Sequence, residues 1–115
     1  MKAALFAFNG EPMCFAHVLL NAHDMKQKGY EVQIVVEGTA TRLVKDLHED
    51  PSKPFASQYA KAREDGLIGC VCKACATKTG ALESAVEQGL SLCDEMSGHP
   101  SIARFLEEGY QVFTF

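Results

Sequence analysis

An α/β fold built on a parallel sheet is the architecture this sequence predicts, on three observations. Short apolar or β-branched runs alternate along the chain with stretches whose apolar residues recur at helical spacing, five of the first kind and about four of the second. Gly29, Gly66, Gly89 and Gly109 each fall where such a helical stretch stops, the position that glycine favours after a helix. The chain has 115 residues, 47% of them hydrophobic and 23% charged, which is ordinary globular usage and enough for one core but not two. The expectation is a single domain over residues 1–115, with a five-stranded parallel sheet in the order 2-1-3-4-5 and helices on both faces.

The elements follow in order. Lys2 to Phe8 reads as a buried first strand, because Asn9-Gly10-Glu11-Pro12 stops the apolar run. Phe15, Val18, Leu19, Ala22 and Met25 make one apolar helical face, with His17, Asn21, Asp24 and Lys28 opposite. Tyr30 to Val36 is a β-branched second strand. Leu43, Val44 and Leu47 belong to a short helix that ends before Pro51, and Pro54 opens another with Phe55, Tyr59 and Ala62 inward. Leu67 to Cys72 is the third strand. Lys73 to Gly80 leads into a helix with Leu82, Ala85 and Val86 facing the core, and Leu90 to Cys93 is a short fourth strand. Ser97-Gly98-His99-Pro100 starts the last helix, packed through Ile102, Phe105 and Leu106, and Tyr110 to Phe115 is the fifth strand.

Composition excludes several functions. Lys plus Arg number 11 against 15 Asp plus Glu, so no broad positive field exists to attract a nucleic-acid backbone. No segment approaches the length of a transmembrane span, and a cytoplasmic location is the default expectation. Glycine-rich nucleotide and dinucleotide signatures and the nucleophile-elbow serine are absent. No cofactor is expected.

The chemistry points to sulfur. Three of the five cysteines, Cys70, Cys72 and Cys75, crowd into six residues, a pattern suited to reactive thiols or a metal in a reducing compartment rather than to a disulfide framework. Cys72 falls at the carboxyl end of a strand, where a helix start and the nearby Lys73 and Lys78 would lower its pKa. Cys72 and Cys75 suit reversible pairing across the strand-to-helix turn, whereas Cys70 and Cys72, two apart on a strand, do not. Cys70 also reads as a small apolar core residue. Cys14 and Cys93 could approach the same sheet edge, which admits a zinc site completed by a further thiol or His17. His99, before Pro100, reads as a cap or solvent-facing residue, and His23 and His48 show no partner at any recognisable spacing.

The run from strand three through Cys72-Lys73-Ala74-Cys75-Ala76-Thr77-Lys78-Thr79-Gly80, with the closing Glu108-Gly109-Tyr110, resembles the DsrE/DsrF-like sulfur-relay proteins. The resemblance implies a flavodoxin-like sheet, a homo-oligomer (trimer or hexamer), partner proteins that donate and accept sulfur, and a persulfide carried on Cys72. Cys75 departs from the pattern of many members and stands as a resolving thiol, with Lys73, Cys70 and Cys14 in support. A thiol-disulfide or peroxide-linked redox protein using Cys72 and Cys75, a thiolate metal-binding subunit and an interaction subunit without chemistry are the alternatives. Oligomerisation is also expected because Phe113 and Phe115 lie on a terminal strand that needs cover.

Overall fold

Local signals set most element boundaries in the computed structural model, which describes residues 1–115. Strand β1 (Lys2–Ala7) is buried from Ala3 to Ala7. Pro12 opens helix α1 (Pro12–Gln27), where the Glu11 carboxylate accepts the Met13 N–H at 3.3 Å. Strand β2 (Glu31–Val36) is followed by a 3-10 turn (Gly38–Ala40), then α2 (Thr41–Glu49) and α3 (Ala56–Glu64). Strand β3 (Ile68–Cys72) runs directly into α4 (Lys73–Thr79), followed by α5 (Leu82–Glu87), β4 (Leu92–Cys93), α6 (Ile102–Glu107) and β5 (Gln111–Thr114).

Two helix starts and three side-chain positions differ from expectation. Helix α3 starts at Ala56 rather than Pro54, because Phe55 adopts a left-handed φ of +71° that no helix can contain. The cap of α6 is Ser101, whose Oγ accepts the Arg104 N–H at 3.3 Å, so this helix begins beyond Pro100. Val86, Ile102 and Leu106 face solvent, and Ser84, Ala85 and Phe105 are the inward positions of their helices.

The fold is flavodoxin-like, with all five strands parallel, as expected from the alternation. The strand order is β4-β3-β2-β1-β5 and not 2-1-3-4-5. The reason lies in β2. It pairs with β1 on one side and β3 on the other, and Val32, Ile34, Val35 and Val36 are all buried, the pattern of a central strand covered on both faces. The edges go instead to β4, which is only two residues long, and to β5, where Gln111, Phe113 and Thr114 are exposed. The chain thus steps in one direction from β1 to β4 and then returns to the far side of β1.

That return divides the layers unequally. One core cluster of 22 buried residues joins the sheet to α1 through α5, and a cluster of seven lies on the other side under α6. Phe105 anchors this smaller layer. It is fully buried and packs edge to face on Phe6 at 5.4 Å and Tyr110 at 5.5 Å between centroids, a contact set worth a few kcal/mol, roughly 1.5–3 from burial alone. Parallel strands place every strand-to-helix loop at one sheet edge, so the segment after β3 and the segment after β4 are neighbours.

Candidate functional site

Cys72 is both the last residue of β3 and the N-cap of α4, with its side chain fully buried. Its Sγ accepts the Cys75 backbone N–H at 3.3 Å, as a serine or aspartate cap would. The loop between β4 and α6 closes over it from the adjacent strand. Gly98 accepts the Ala74 N–H at 2.9 Å and lies 3.5 Å from Cys72 Sγ through the same carbonyl. His99 follows, its own N–H and C=O both paired with Met96 at 2.9 Å. The imidazole Nδ1 is thereby held 3.3 Å from Cys72 Sγ and 3.5 Å from Cys75 Sγ. Only glycine fits at position 98, where φ is +92° and a Cβ would stand 3.0 Å from that of Ala74.

Electrostatics at this site oppose the sequence expectation. Burial pushes the Cys72 thiol up to about 12, and the Cys75 side chain and the Glu37 carboxylate add to the rise. The Cys75 N–H acts in the expected direction, but one donor does not replace the hydration a buried thiolate loses. Lys73 and Lys78 do not reverse this. Both line an open groove of about 480 Å³ with Ala74, Thr77, Asp94 and Gly98, and neither donates to Cys72. Glu37, directly after β2, is itself raised by burial and partly lowered by His99, so acid, imidazole and thiol form one electrostatic group.

Sequence reasoning located Cys72 and Cys75 but left His99 and Glu37 unassigned. The signal for His99 was its place just beyond strand four, since in a parallel sheet neighbouring strand ends bring their loops together. Glu37 carried a similar signal as the first residue after β2. Cys72, Cys75 and His99 offer donor atoms within 4.8 Å of one another, and they form the one set of such side chains close enough together to hold a metal ion. Cys14 and His17 lie elsewhere, around a separate cavity of about 280 Å³ with Asn21 and Phe115. His23 joins α1 to α3 through the Gln58 carbonyl at 3.1 Å, and His48 is exposed. A further cavity of about 360 Å³, which includes Arg42, Asp46 and Lys53, contains none of the site residues.

Cys70 is not a free thiol. It is bonded to Cys93 across β3 and β4, with Cα atoms 5.6 Å apart, and both residues are buried under α6. The reading of Cys70 as a small apolar core residue holds for its burial, but not as a free cysteine. The spacing argument that set Cys70 against Cys72 holds, but it had no information about which strand lay alongside.

What the assembled thiols and imidazole can do is exchange sulfur, by attack of a thiolate on a sulfur–sulfur bond with a base at hand. Comparison with known proteins identifies the family. An uncharacterized protein of Methanocaldococcus jannaschii is 35% identical over 96 residues, which cover 84% of this chain and 75% of that protein. An uncharacterized protein of Archaeoglobus fulgidus is 50% identical over 36 residues, 31% of this chain and 97% of the relative. The model of the DsrE/DsrF-like family matches residues 2–115, essentially end to end. The chain belongs to the DsrE/DsrF-like family, whose members serve sulfur relay.

Proposed function

We propose that this protein carries sulfane sulfur as a persulfide on Cys72. The observation that supports this reading is the convergence of Cys72, Cys75 and His99 at the carboxyl ends of β3 and β4. A thiol held near 12 by burial is a poor nucleophile by itself, and His99 Nδ1 at 3.3 Å is placed to accept its proton. The Cys72 thiolate then attacks the outer sulfur of a donor persulfide. The donor's sulfur–sulfur bond breaks, the donor leaves as a thiolate, and it takes up the proton that His99 held. In discharge, an acceptor nucleophile removes the outer sulfur. Alternatively, Cys75 attacks Cys72 Sγ, expelling hydrosulfide and leaving a Cys72–Cys75 disulfide, which is the resolving role.

The partners of this reading are a sulfur donor protein, an acceptor protein and further copies of the chain. Exposed Ile102 and Leu106 on α6 and Phe113 on the edge strand β5 support a homo-oligomer. A thiol–disulfide function is the second reading, favoured by the closeness of the Cys72 and Cys75 sulfurs.

Intact-mass analysis with peptide mapping after anaerobic incubation with a sulfane-sulfur donor tests both. The expected gain is one sulfur on the Cys72 peptide, abolished by Cys72→Ser, slowed about 100-fold by His99→Ala and longer-lived in Cys75→Ser. Sulfur loading undiminished in Cys72→Ser overturns the carrier reading. A loss of two hydrogens in the wild type, with no sulfur held on Cys72 in Cys75→Ser either, supports thiol–disulfide exchange instead.

A further inference from the structure

The Cys70–Cys93 disulfide has no part in the transfer described above, yet it lies one residue pair from the carrier cysteine. In the parallel pairing of β3 and β4, Cys72 is the register partner of Cys93, and Val71 is that of Leu92. Neighbouring strands stand about 4.8 Å apart, inside the roughly 4.4–6.8 Å window of Cα separations that a disulfide tolerates. The existing bond from Cys70 to Cys93 spans 5.6 Å between Cα atoms. Cys93 therefore has two cysteines within bonding reach on one strand. Cys70 and Cys72 are two residues apart and project to the same sheet face, the one covered by α6 and the β4–α6 loop.

We propose that the Cys70–Cys93 disulfide is a built-in oxidant that lets this protein make its persulfide from hydrosulfide. The inference rests on Cys72 as the carrier. Hydrosulfide sulfur is two electrons more reduced than sulfane sulfur, so a thiol alone cannot take it up as a persulfide. The disulfide supplies that oxidation. The Cys72 thiolate, its proton passed to His99, attacks Cys93 Sγ. The Cys70–Cys93 bond breaks, a Cys72–Cys93 bond forms, and Cys70 leaves as a thiolate.

Hydrosulfide then attacks Cys72 Sγ, releasing Cys93 as a thiolate that takes the proton from His99 and forming the Cys72 persulfide. Two electrons have moved from the incoming sulfur to the pair formed by Cys70 and Cys93, which end reduced. With Cys70 reprotonated from solvent, the chain as a whole has gained one molecule of hydrogen sulfide, and it is limited to one such loading until the pair is reoxidised. Hydrosulfide has a single heavy atom, which suits a carrier sulfur with no exposed surface between two partly exposed neighbours, Cys75 and His99.

The test compares two sulfur sources on the same protein under anaerobic conditions. With sodium hydrosulfide, protein carrying the intact disulfide is expected to gain the mass of one hydrogen sulfide molecule. Peptide mapping should place the persulfide on Cys72 and free thiols on Cys70 and Cys93. With a sulfane-sulfur donor it gains one sulfur and keeps the disulfide. The Cys70→Ser/Cys93→Ser double variant, and wild-type protein reduced and freed of reductant, should load from the sulfane donor but lose hydrosulfide loading at least tenfold.

Equal hydrosulfide loading of reduced and oxidised wild type overturns the proposal, as does no loading of the oxidised form. Persulfide mapped to Cys70 or Cys93 in place of Cys72 overturns it too. Sulfane loading of the double variant shows that its site is folded, and the reduced wild type reads the same question without any substitution. Failure of sulfane loading on Cys72 in every arm is the distinct result that removes the carrier reading itself.

Discussion

Cys70 and Cys72 stand two residues apart on one strand, and the fold gives them opposite fates. Cys70 lies within the sheet, beneath Phe105 and Tyr110, where its sulfur meets Cys93 and apolar side chains. Cys72 lies where the strand ends, and its sulfur meets a backbone N–H, a carbonyl and an imidazole. Both residues are buried, so exposure does not separate them. Polar neighbours supplied by the next strand's loop do. What separates the two sulfurs is the set of polar atoms that the β4–α6 loop and the start of α4 bring to the end of β3.

The comparison is broken most readily by alkylation. On protein with the Cys70–Cys93 bond intact, iodoacetamide at neutral pH should label partly exposed Cys75 and Cys14 at least roughly tenfold faster than Cys72, the reverse of what its helix-start position alone suggests. Raised by burial to about 12, the Cys72 thiol gains thiolate as pH rises, so its labelling should accelerate steadily through the alkaline range. The folded state holds this proton after the unfolded chain has released it, and stability contributed by Cys72 is accordingly lost between the ordinary thiol range and about 12. Timed peptide mapping across pH checks the order. Cys72 labelling first would mean that the loop, not burial, sets its reactivity.

Gly98→Ala sharpens the comparison by moving that loop. A residue forced to a φ of +92° costs about 1–3 kcal/mol, and the added methyl also meets Ala74 at 3.0 Å. Gly29→Ala serves as the reference, since its φ of +88° is similar but nothing lies within 4 Å. Urea denaturation should show the larger loss for Gly98→Ala, together with slower sulfur loading. Equal losses for the two would show that the contact with Ala74 contributes nothing.

The smallest effect expected is at Glu95. Partial burial raises its carboxyl, but Arg104 at 2.8 Å and the Ser101 N–H outweigh this and hold it down to about 2. A lowered carboxyl stabilises the fold above the usual carboxylate range, and that stability is lost as pH falls towards about 2. Because the pair is partly exposed, Glu95→Gln should cost no more than about 1 kcal/mol near neutral pH and flatten the acid side of the stability profile. A larger loss would place the β4–α6 loop's anchorage in this pair and not in Gly98.

Much of this molecule was legible from its residues. Alternating helical and strand periods predicted five parallel strands, and the Cys72 to Gly80 spacing located the strand-to-helix turn of the candidate site. The strand order was not legible in the same way. The apolar run of β2 marks a strand buried on both faces, but periodicity does not say which neighbours cover it.

The sequence by itself determined which segments are strands, where helices stop, and that a thiol sits at the mouth of β3, because these depend on residues a few positions apart. Tertiary structure alone decided that Cys93 would bond to Cys70, that His99 would face Cys72 and Cys75, and that burial would raise the Cys72 pKa rather than let the helix end lower it. Each depends on β4 lying beside β3, a contact between residues more than twenty positions apart. Distances and dielectric surroundings of that kind are set by packing, and local spacing carries no record of them.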